Sequence, residues 1–165
     1  MKTTLNVLKI IDGTTVDGPG FRTSIYFAGC NHHCPGCHNP QSWDLNGGTP
    51  LSIDEIMARI IQNDFDVTFS GGDPLLQIEP LTQLAQKIHE SGKNIWCYTG
   101  YKYEEIINDL SFIKIAPYID VIVDGRFELA LRDTSLLFKG SSNQRLIDLQ
   151  KSMTVGKPVI WQSSF

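Results

Sequence analysis

Hydrophobic and polar positions along this chain switch repeatedly between a period of two and a helical period. Arg22-Thr-Ser-Ile-Tyr-Phe-Ala28 is rich in β-branched and aromatic residues and ends at Gly29, which predicts a strand. Ser52-Ile-Asp-Glu55 has the form of a capping box, in which the Ser52 hydroxyl accepts from the Glu55 amide and the Glu55 carboxylate reaches back. It opens a helix with Ile56, Met57, Ile60 and Ile61 on one face. Asp66-Val-Thr-Phe69 reads as a strand halted by Ser70-Gly-Gly-Asp-Pro74. Pro80 suits a first helical turn, Leu81, Leu84, Ala85 and Ile88 form the next apolar stripe, and Gly92 suits its end. Asn94-Ile-Trp-Cys-Tyr98 is a third strand, closed by Thr99-Gly100, and Tyr103 to Leu110 a helix. Asp120-Val-Ile-Val123 is a fourth strand, followed by Asp124-Gly125. Asn143 to Ser152 reads as helical, with Ser142 or Asn143 as N-cap, and Pro158-Val-Ile-Trp161 as a last strand.

Alternation of strands and helices implies parallel strands joined by helical crossovers. The expected fold is α/β: a partial, incomplete β/α barrel of parallel strands with outer helices, in a single domain over residues 1–165. A complete eight-fold barrel typically takes about 250 residues, more than the 165 here. In such a sheet the loops after the strands share one rim, where these folds bind ligands. The loops at Cys30–Cys37, Ser70–Pro74, Thr99-Gly100 and Asp124–Arg126 all fall there.

Composition narrows the class. Hydrophobic residues make up 41% and charged residues 19%, which excludes a disordered chain. Fourteen basic against 18 acidic residues give a net charge of −4 without a Lys/Arg run, which argues against nucleic acid as a partner. No apolar run approaches about 18 residues, so no membrane span is expected. Met1 to Asn6 lacks the long apolar stretch of a signal peptide, and a cytoplasmic protein is the expectation.

Cysteine usage changes the picture most. Cys30, Cys34 and Cys37 lie within one short segment with the spacing C-x3-C-x2-C, while Cys97 stands alone. A tight cluster in a reducing compartment reads as metal-binding or catalytic. Three thiolates can hold three corners of a cubane [4Fe–4S] cluster, leaving one iron open to a further ligand; electron-transfer clusters usually have four. Two other readings stand beside this one. A structural zinc site could use the same cysteines with His32, His33 or His38. A four-cysteine cluster could recruit Cys97, whose place between Trp96 and Tyr98 reads more simply as core packing. His32 and His33 read as solvated loop residues, with hydrogen bonding to cluster sulfur as the alternative, and Trp161 as core, with a wall of the substrate channel as the alternative.

Cys30–Cys37 followed by His38-Asn39-Pro40 resembles the radical S-adenosyl-L-methionine (SAM) superfamily. Val16-Asp-Gly-Pro-Gly-Phe-Arg22, Trp43 and Gly47-Gly48 are similar to its glycyl-radical-enzyme activases. Val123-Asp-Gly-Arg-Phe127 and Phe138-Lys-Gly-Ser-Ser-Asn-Gln-Arg-Leu-Ile-Asp148 resemble those activases that serve anaerobic ribonucleoside-triphosphate reductases. The resemblance runs from about Asp12 to Asp148. It implies a radical SAM oxidoreductase: SAM binds the open iron, one electron from a low-potential donor cleaves it to methionine and a 5′-deoxyadenosyl radical, and that radical takes a hydrogen from a glycine of the reductase. The protein substrate would be the reductase, or alternatively another glycyl radical enzyme such as pyruvate formate-lyase; a non-enzymatic zinc or iron–sulfur module is the reading from a different class. By the same resemblance Cys30, Cys34 and Cys37 are the cluster ligands. Gly36, Cys37 and His38 would line the adenine through backbone, although the superfamily usually has an aromatic residue where Gly36 stands. Gly71, Gly72 and Asp73 would meet the SAM amino group, Asp73 replacing the more usual Glu. Asp124 would take a ribose hydroxyl and Arg126 the methionine carboxylate.

Overall fold

The computed structural model describes residues 2–37 and 40–163. Seven strands form one sheet: β1 (Thr4–Thr14), β2 (Arg22–Phe27), β3 (Thr49–Ser52), β4 (Asp66–Gly71), β5 (Ile95–Tyr98), β6 (Val121–Asp124) and β7 (Arg145–Asp148), in the order β3-β1-β2-β4-β5-β6-β7. The four strands read from the sequence, β2, β4, β5 and β6, are parallel neighbours. The remaining three are antiparallel additions at the two sides, so the sheet is mixed.

Helices α1 (Ile53–Asn63), α2 (Ile78–Glu90), α3 (Tyr103–Ile106), α4 (Leu110–Ile115) and α5 (Leu149–Val155) complete the chain. The capping box forms as read: Glu55 N–H donates to Ser52 Oγ at 3.1 Å and Ser52 N–H to Glu55 Oε2 at 3.4 Å. Ile53, Ile56, Met57 and Ile60 form the buried stripe of α1, and Ile61 falls on its edge and is exposed. In α2 the stripe of Leu81, Leu84, Ala85 and Ile88 is buried throughout, and Gly92 beyond its end takes a φ of 85°.

Three expected elements differ. The predicted helix from Tyr103 breaks into α3 and α4, because Asp109 accepts from Ser111 N–H and Phe112 N–H and starts a new helix. The predicted helix from Asn143 begins instead with β7, which pairs with the open edge of β6, Ile122 opposite Ile147. Only at Asp148, whose side chain accepts from Lys151 N–H, does α5 begin. Local helical pattern yields there to the ladder bonds that β6 lacks on that side. Pro158 to Trp161 makes one bridge, Ile147 with Ile160, rather than a strand.

The two faces of the sheet differ chemically because strand residues alternate. Ile25, Phe27, Val67, Phe69, Ile95, Cys97 and Ile122 pack under the helices in the main core. Arg22, Ser24, Tyr26, Thr68, Ser70, Trp96 and Tyr98 occupy the alternate positions of β2, β4 and β5. There Trp96, Val121 and Val123 form a second, smaller cluster with Phe138 and Trp161 packed against it. Trp161 stands at 4.9 Å from the Trp96 ring, in keeping with its reading as core. Segment 15–21 is fastened to this face by Tyr26, whose hydroxyl donates to Asp17 at 2.5 Å, and by Thr68, which donates to the Asp17 carbonyl at 2.8 Å. No helix among the described residues is long and apolar enough to cross a membrane.

Arg22 is the largest polar side chain sealed in this face. It is 1% exposed and donates to Thr68 Oγ1, the carbonyls of Pro19 and Val67, and Asn94 Oδ1, with the Trp96 ring 5.6 Å away. Burial pushes its pKa down to about 10, and the more distant carboxylates of Asp66, Asp120 and Asp17 resist that shift. Replacing Arg22 by Met keeps much of the volume but strands these acceptors. Arg22→Met is expected to lower unfolding free energy by more than about 3 kcal/mol, read from urea titration of the intact chain.

Candidate active site

The four parallel strands end on one side, and their loops are sewn together there by backbone. Gly72 N–H donates to the Phe27 carbonyl and Asp73 N–H to the Gly29 carbonyl, joining the loops after β2 and β4. Thr99 N–H donates to the Val123 carbonyl and Gly125 N–H to the Tyr101 carbonyl, joining those after β5 and β6. The close approach at β4 explains its glycines. A Cβ on Gly71, whose φ is 104°, would lie 2.3 Å from Phe27 N, and one on Gly72 would lie 2.3 Å from the Gly29 carbonyl oxygen. The pair therefore serves first the contact with the chain's own cysteine loop.

Above this seam lies an open cleft whose free space, counting its mouth, is about 790 Å³. Cys30, Cys34 and Cys37 line it on one side. Ser70, Gly71, Gly72, Thr99 and Gly125 line the rest of the rim. Three thiols from one loop thus meet the loops of the other three strands, as the sequence predicts. No disulfide joins them. Among the described residues no three His, Cys, Asp or Glu side chains converge at the distance a single metal ion needs. Burial raises the pKa of the Cys30 thiol, while backbone N–H groups of His32 and His33 work to lower it. Cys97 lies away from the cleft, fully buried in the main core, and burial lifts its thiol well above the usual range.

The other expected site residues are placed unevenly. Gly36 has a φ of 75°, and the Leu129 side chain occupies the space into which a side chain there would project. His38 lies outside the described residues. Asp73 is 2% exposed and already engaged: Oδ2 accepts from His32 Nε2 at 2.6 Å, Thr99 Oγ1 at 2.9 Å and Gly100 N–H at 2.9 Å, and Oδ1 from Leu75 N–H at 3.0 Å. Asp124 is 1% exposed and accepts from Tyr103 N–H at 2.8 Å and from Arg145 at 3.1 and 2.5 Å. Its side chain starts α3 and, with Glu104, binds Arg145, whose pKa those two carboxylates raise. Neither carboxylate lines the cleft. Arg126 stands exposed at the rim, its Nε donating to His32 Nδ1 at 3.1 Å.

Sequence reading missed three contributors. His32 is not solvated: its side chain is 5% exposed. Gln144 lines the cleft and staples the 126–144 excursion, accepting from Gly140 N–H and donating to the Gly125 carbonyl. Gln77 is buried and ties Asn6 to Ala28 just before the cysteine loop. Gln144 carried a signal as part of the Phe138–Asp148 segment, and His32 as a residue of the cysteine loop, while Gln77 carried none.

Cys34→Ala is expected to abolish iron retention after anaerobic reconstitution, whereas Cys97→Ala keeps it and costs on the order of 1 kcal/mol of stability through a small cavity. Gly72→Ala is expected to lower both thermal stability and iron content, because the added methyl meets the backbone beside Cys30. Iron content and melting temperature, measured side by side, check all three.

Comparison with known proteins agrees with this geometry. Residues 16–147 match the family model described as a 4Fe-4S single cluster domain. Anaerobic ribonucleoside-triphosphate reductase-activating proteins are similar over most of the chain. The one from Salmonella typhimurium is 39% identical over 139 residues, covering 78% of this chain and 89% of that protein. That of Escherichia coli K12 is 38% identical over 141 residues, with the same coverage of each chain. The Enterobacteria phage T4 protein is 35% identical over 150 residues, 86% of this chain and 93% of its own. Among solved structures, QueE from Escherichia coli superposes with a TM-score of 0.50 at 17% identity, covering 59% of this chain and 52% of that one, a likeness of fold. The chain belongs to the family of anaerobic ribonucleoside-triphosphate reductase-activating proteins.

Proposed function

We propose that this protein is a radical SAM activase that installs a glycyl radical on an anaerobic ribonucleoside-triphosphate reductase, acting in the cytoplasm with a low-potential electron donor. The observation that carries the reading is the meeting of Cys30, Cys34 and Cys37 with the Gly71-Gly72 wall in one cleft. The family membership supports the reductase as protein substrate over pyruvate formate-lyase. The open mixed sheet is read as the partial barrel of a single radical SAM domain over residues 1–165.

In this reading Cys30, Cys34 and Cys37 would hold a [4Fe–4S] cluster, and the rim loops would meet SAM. The chemistry that cluster and SAM supply when bound is one-electron cleavage of the sulfonium C–S bond, giving a carbon radical that takes a glycine hydrogen. The chain's own part is placement and shielding. Ser70, Gly71 and Gly72 would offer backbone to the SAM amino group, and the backbone of Gly36 and Cys37 would border the adenine. Arg126 at the rim is a cation for the methionine carboxylate. Asp73 and Asp124 act through their neighbours, Asp73 by fixing the loops after β2 and β5 and Asp124 by anchoring α3 and Arg145. No side-chain acid or base is needed.

The cleft is open on one side, and a reactive carbon radical needs water kept out and its target within near-contact distance. The partner's glycine loop supplies that closure. SAM cleavage by the isolated protein under strong reductant is therefore expected to be slow, and faster with the reductase present and tied to a glycyl radical. The measurements are 5′-deoxyadenosine production with and without the reductase and the glycyl signal in electron paramagnetic resonance. Equal rates with and without the partner, or no radical on it, would overturn the assignment, and a protein that assembles iron but never cleaves SAM would be a passive module.

A further inference from the structure

One side chain at the rim touches all four loops. His32 belongs to the cysteine loop after β2. Its Nε2 donates to Asp73, in the loop after β4, at 2.6 Å. Its ring meets Tyr101, in the loop after β5, edge-on at 4.6 Å. It lies so close to Gly100 that a Cβ there would stand 2.5 Å from His32 Cδ2. Its Nδ1 accepts from Arg126 Nε, in the loop after β6, at 3.1 Å. A guanidinium can only donate, so Nδ1 is the acceptor and the ring proton sits on Nε2. The ring therefore joins a buried carboxylate on one side to an exposed cation on the other.

We propose that His32 is the positioning residue that sets the distance between the three thiols and the Gly71-Gly72 wall. The proposal rests on the reading of the cleft as the SAM site. His33 turns the opposite way along the chain and stacks on Trp43 at 4.3 Å. Through Asp73 Oδ2, His32 shares one acceptor with Thr99 Oγ1 and Gly100 N–H, so the cysteine loop and the loop after β5 hang on the same oxygen. Through Nδ1 it steadies Arg126, which is otherwise a long, exposed side chain. A flat ring with nitrogens on opposite edges serves both partners at once, whereas a glutamine amide placed at Nε2 serves Asp73 alone. Gly100 is required by the same arrangement, since any larger residue would displace the ring.

The test uses the full chain as His32→Ala, His32→Gln and Arg126→Gln. In the iron-free protein the Gly100 amide is followed by hydrogen exchange. In the anaerobically reconstituted protein, iron content and SAM dissociation constant are measured. His32→Ala is expected to speed Gly100 exchange and weaken SAM binding, each by about tenfold or more, with most of the iron retained. His32→Gln is expected to restore slow exchange at Gly100 but recover SAM affinity only in part, because Arg126 is still unheld. Wild-type exchange and wild-type SAM affinity in His32→Ala would overturn the proposal. If His32→Ala loses its cooperative thermal transition, Arg126→Gln carries the test: weakened SAM binding with unchanged Gly100 exchange in Arg126→Gln, together with slow Gly100 exchange in a folded His32→Gln, supports it, and unchanged affinity overturns it. A wild-type chain that binds no SAM, while His32→Ala still speeds exchange at Gly100, would refute the functional reading and leave His32 as the bracket of the rim.

Discussion

A carboxylate taken out of water must be surrounded by donors or be protonated, and Asp73 meets that demand in a way that organises the rim. It sits just beyond the Gly71-Gly72 step, in a loop already bonded by backbone to the end of β2. The donors that reach it come from His32, Leu75, Thr99 and Gly100. Three of these belong to loops after other strands. Satisfying one buried charge therefore draws together segments 41 residues apart on one side and 26 or 27 on the other. Loops that would otherwise be the least ordered part of an α/β fold become a fixed surface. A shorter carboxylate than Glu suits this role, because the acceptor has to stay in the wall.

Beneath the rim, the alternation of strand residues divides the molecule. The face under the helices is apolar and closely packed, which holds β2, β4, β5 and β6 in register. The other face carries polar groups at β2 and β4, aromatics at β5 and valines at β6, and it is closed by segment 15–21 and by Phe138 and Trp161. Arg22 is the clearest case of what that closure requires. A guanidinium without a directly bonded carboxylate is tolerated there only because four oxygens and an indole face surround it. That region is rigid where the cleft above it is open, so stability and chemistry occupy opposite ends of the same strands.

Strong periodic signals were legible in the sequence. The four parallel strands, the capping box at Ser52, the stripe of α2 and the convergence of the cysteine loop with Ser70–Pro74 all follow from patterns local to a few residues. What escaped depended on partners far away in the chain. β1 and β3 have no strong alternation: β1 is placed by pairing with the side of β2, and β3 by pairing with β1. Residues 145–148 are extended because β6 offers an unpaired edge, a fact that no window around Asn143 contains. The same holds in the site. Cysteine spacing announces its chemistry, but a buried acceptor for His32 lies 41 positions away, and nothing near His32 announces it. Asp73 and Asp124 were legible as charged residues at strand ends; which way they are engaged was not, since their donors come from other loops.

The 126–144 excursion completes this logic. It leaves β6 at the rim and returns to the neighbouring strand β7, so its two ends are fixed only a strand spacing apart. Gln144 holds it shut, with its amide donating to the Gly125 carbonyl and its carbonyl accepting from Gly140 N–H and Ser141 N–H, and Ser141 Oγ accepts from Glu128 N–H. Leu129 reaches back over Gly36 beside Cys37, which is where the missing side chain at Gly36 leaves room. Phe127, Gly140 and Gln144 line the cleft together with the Gly71-Gly72 wall. The stapled loop thus adds its own residues to the lining that the strand-end loops begin.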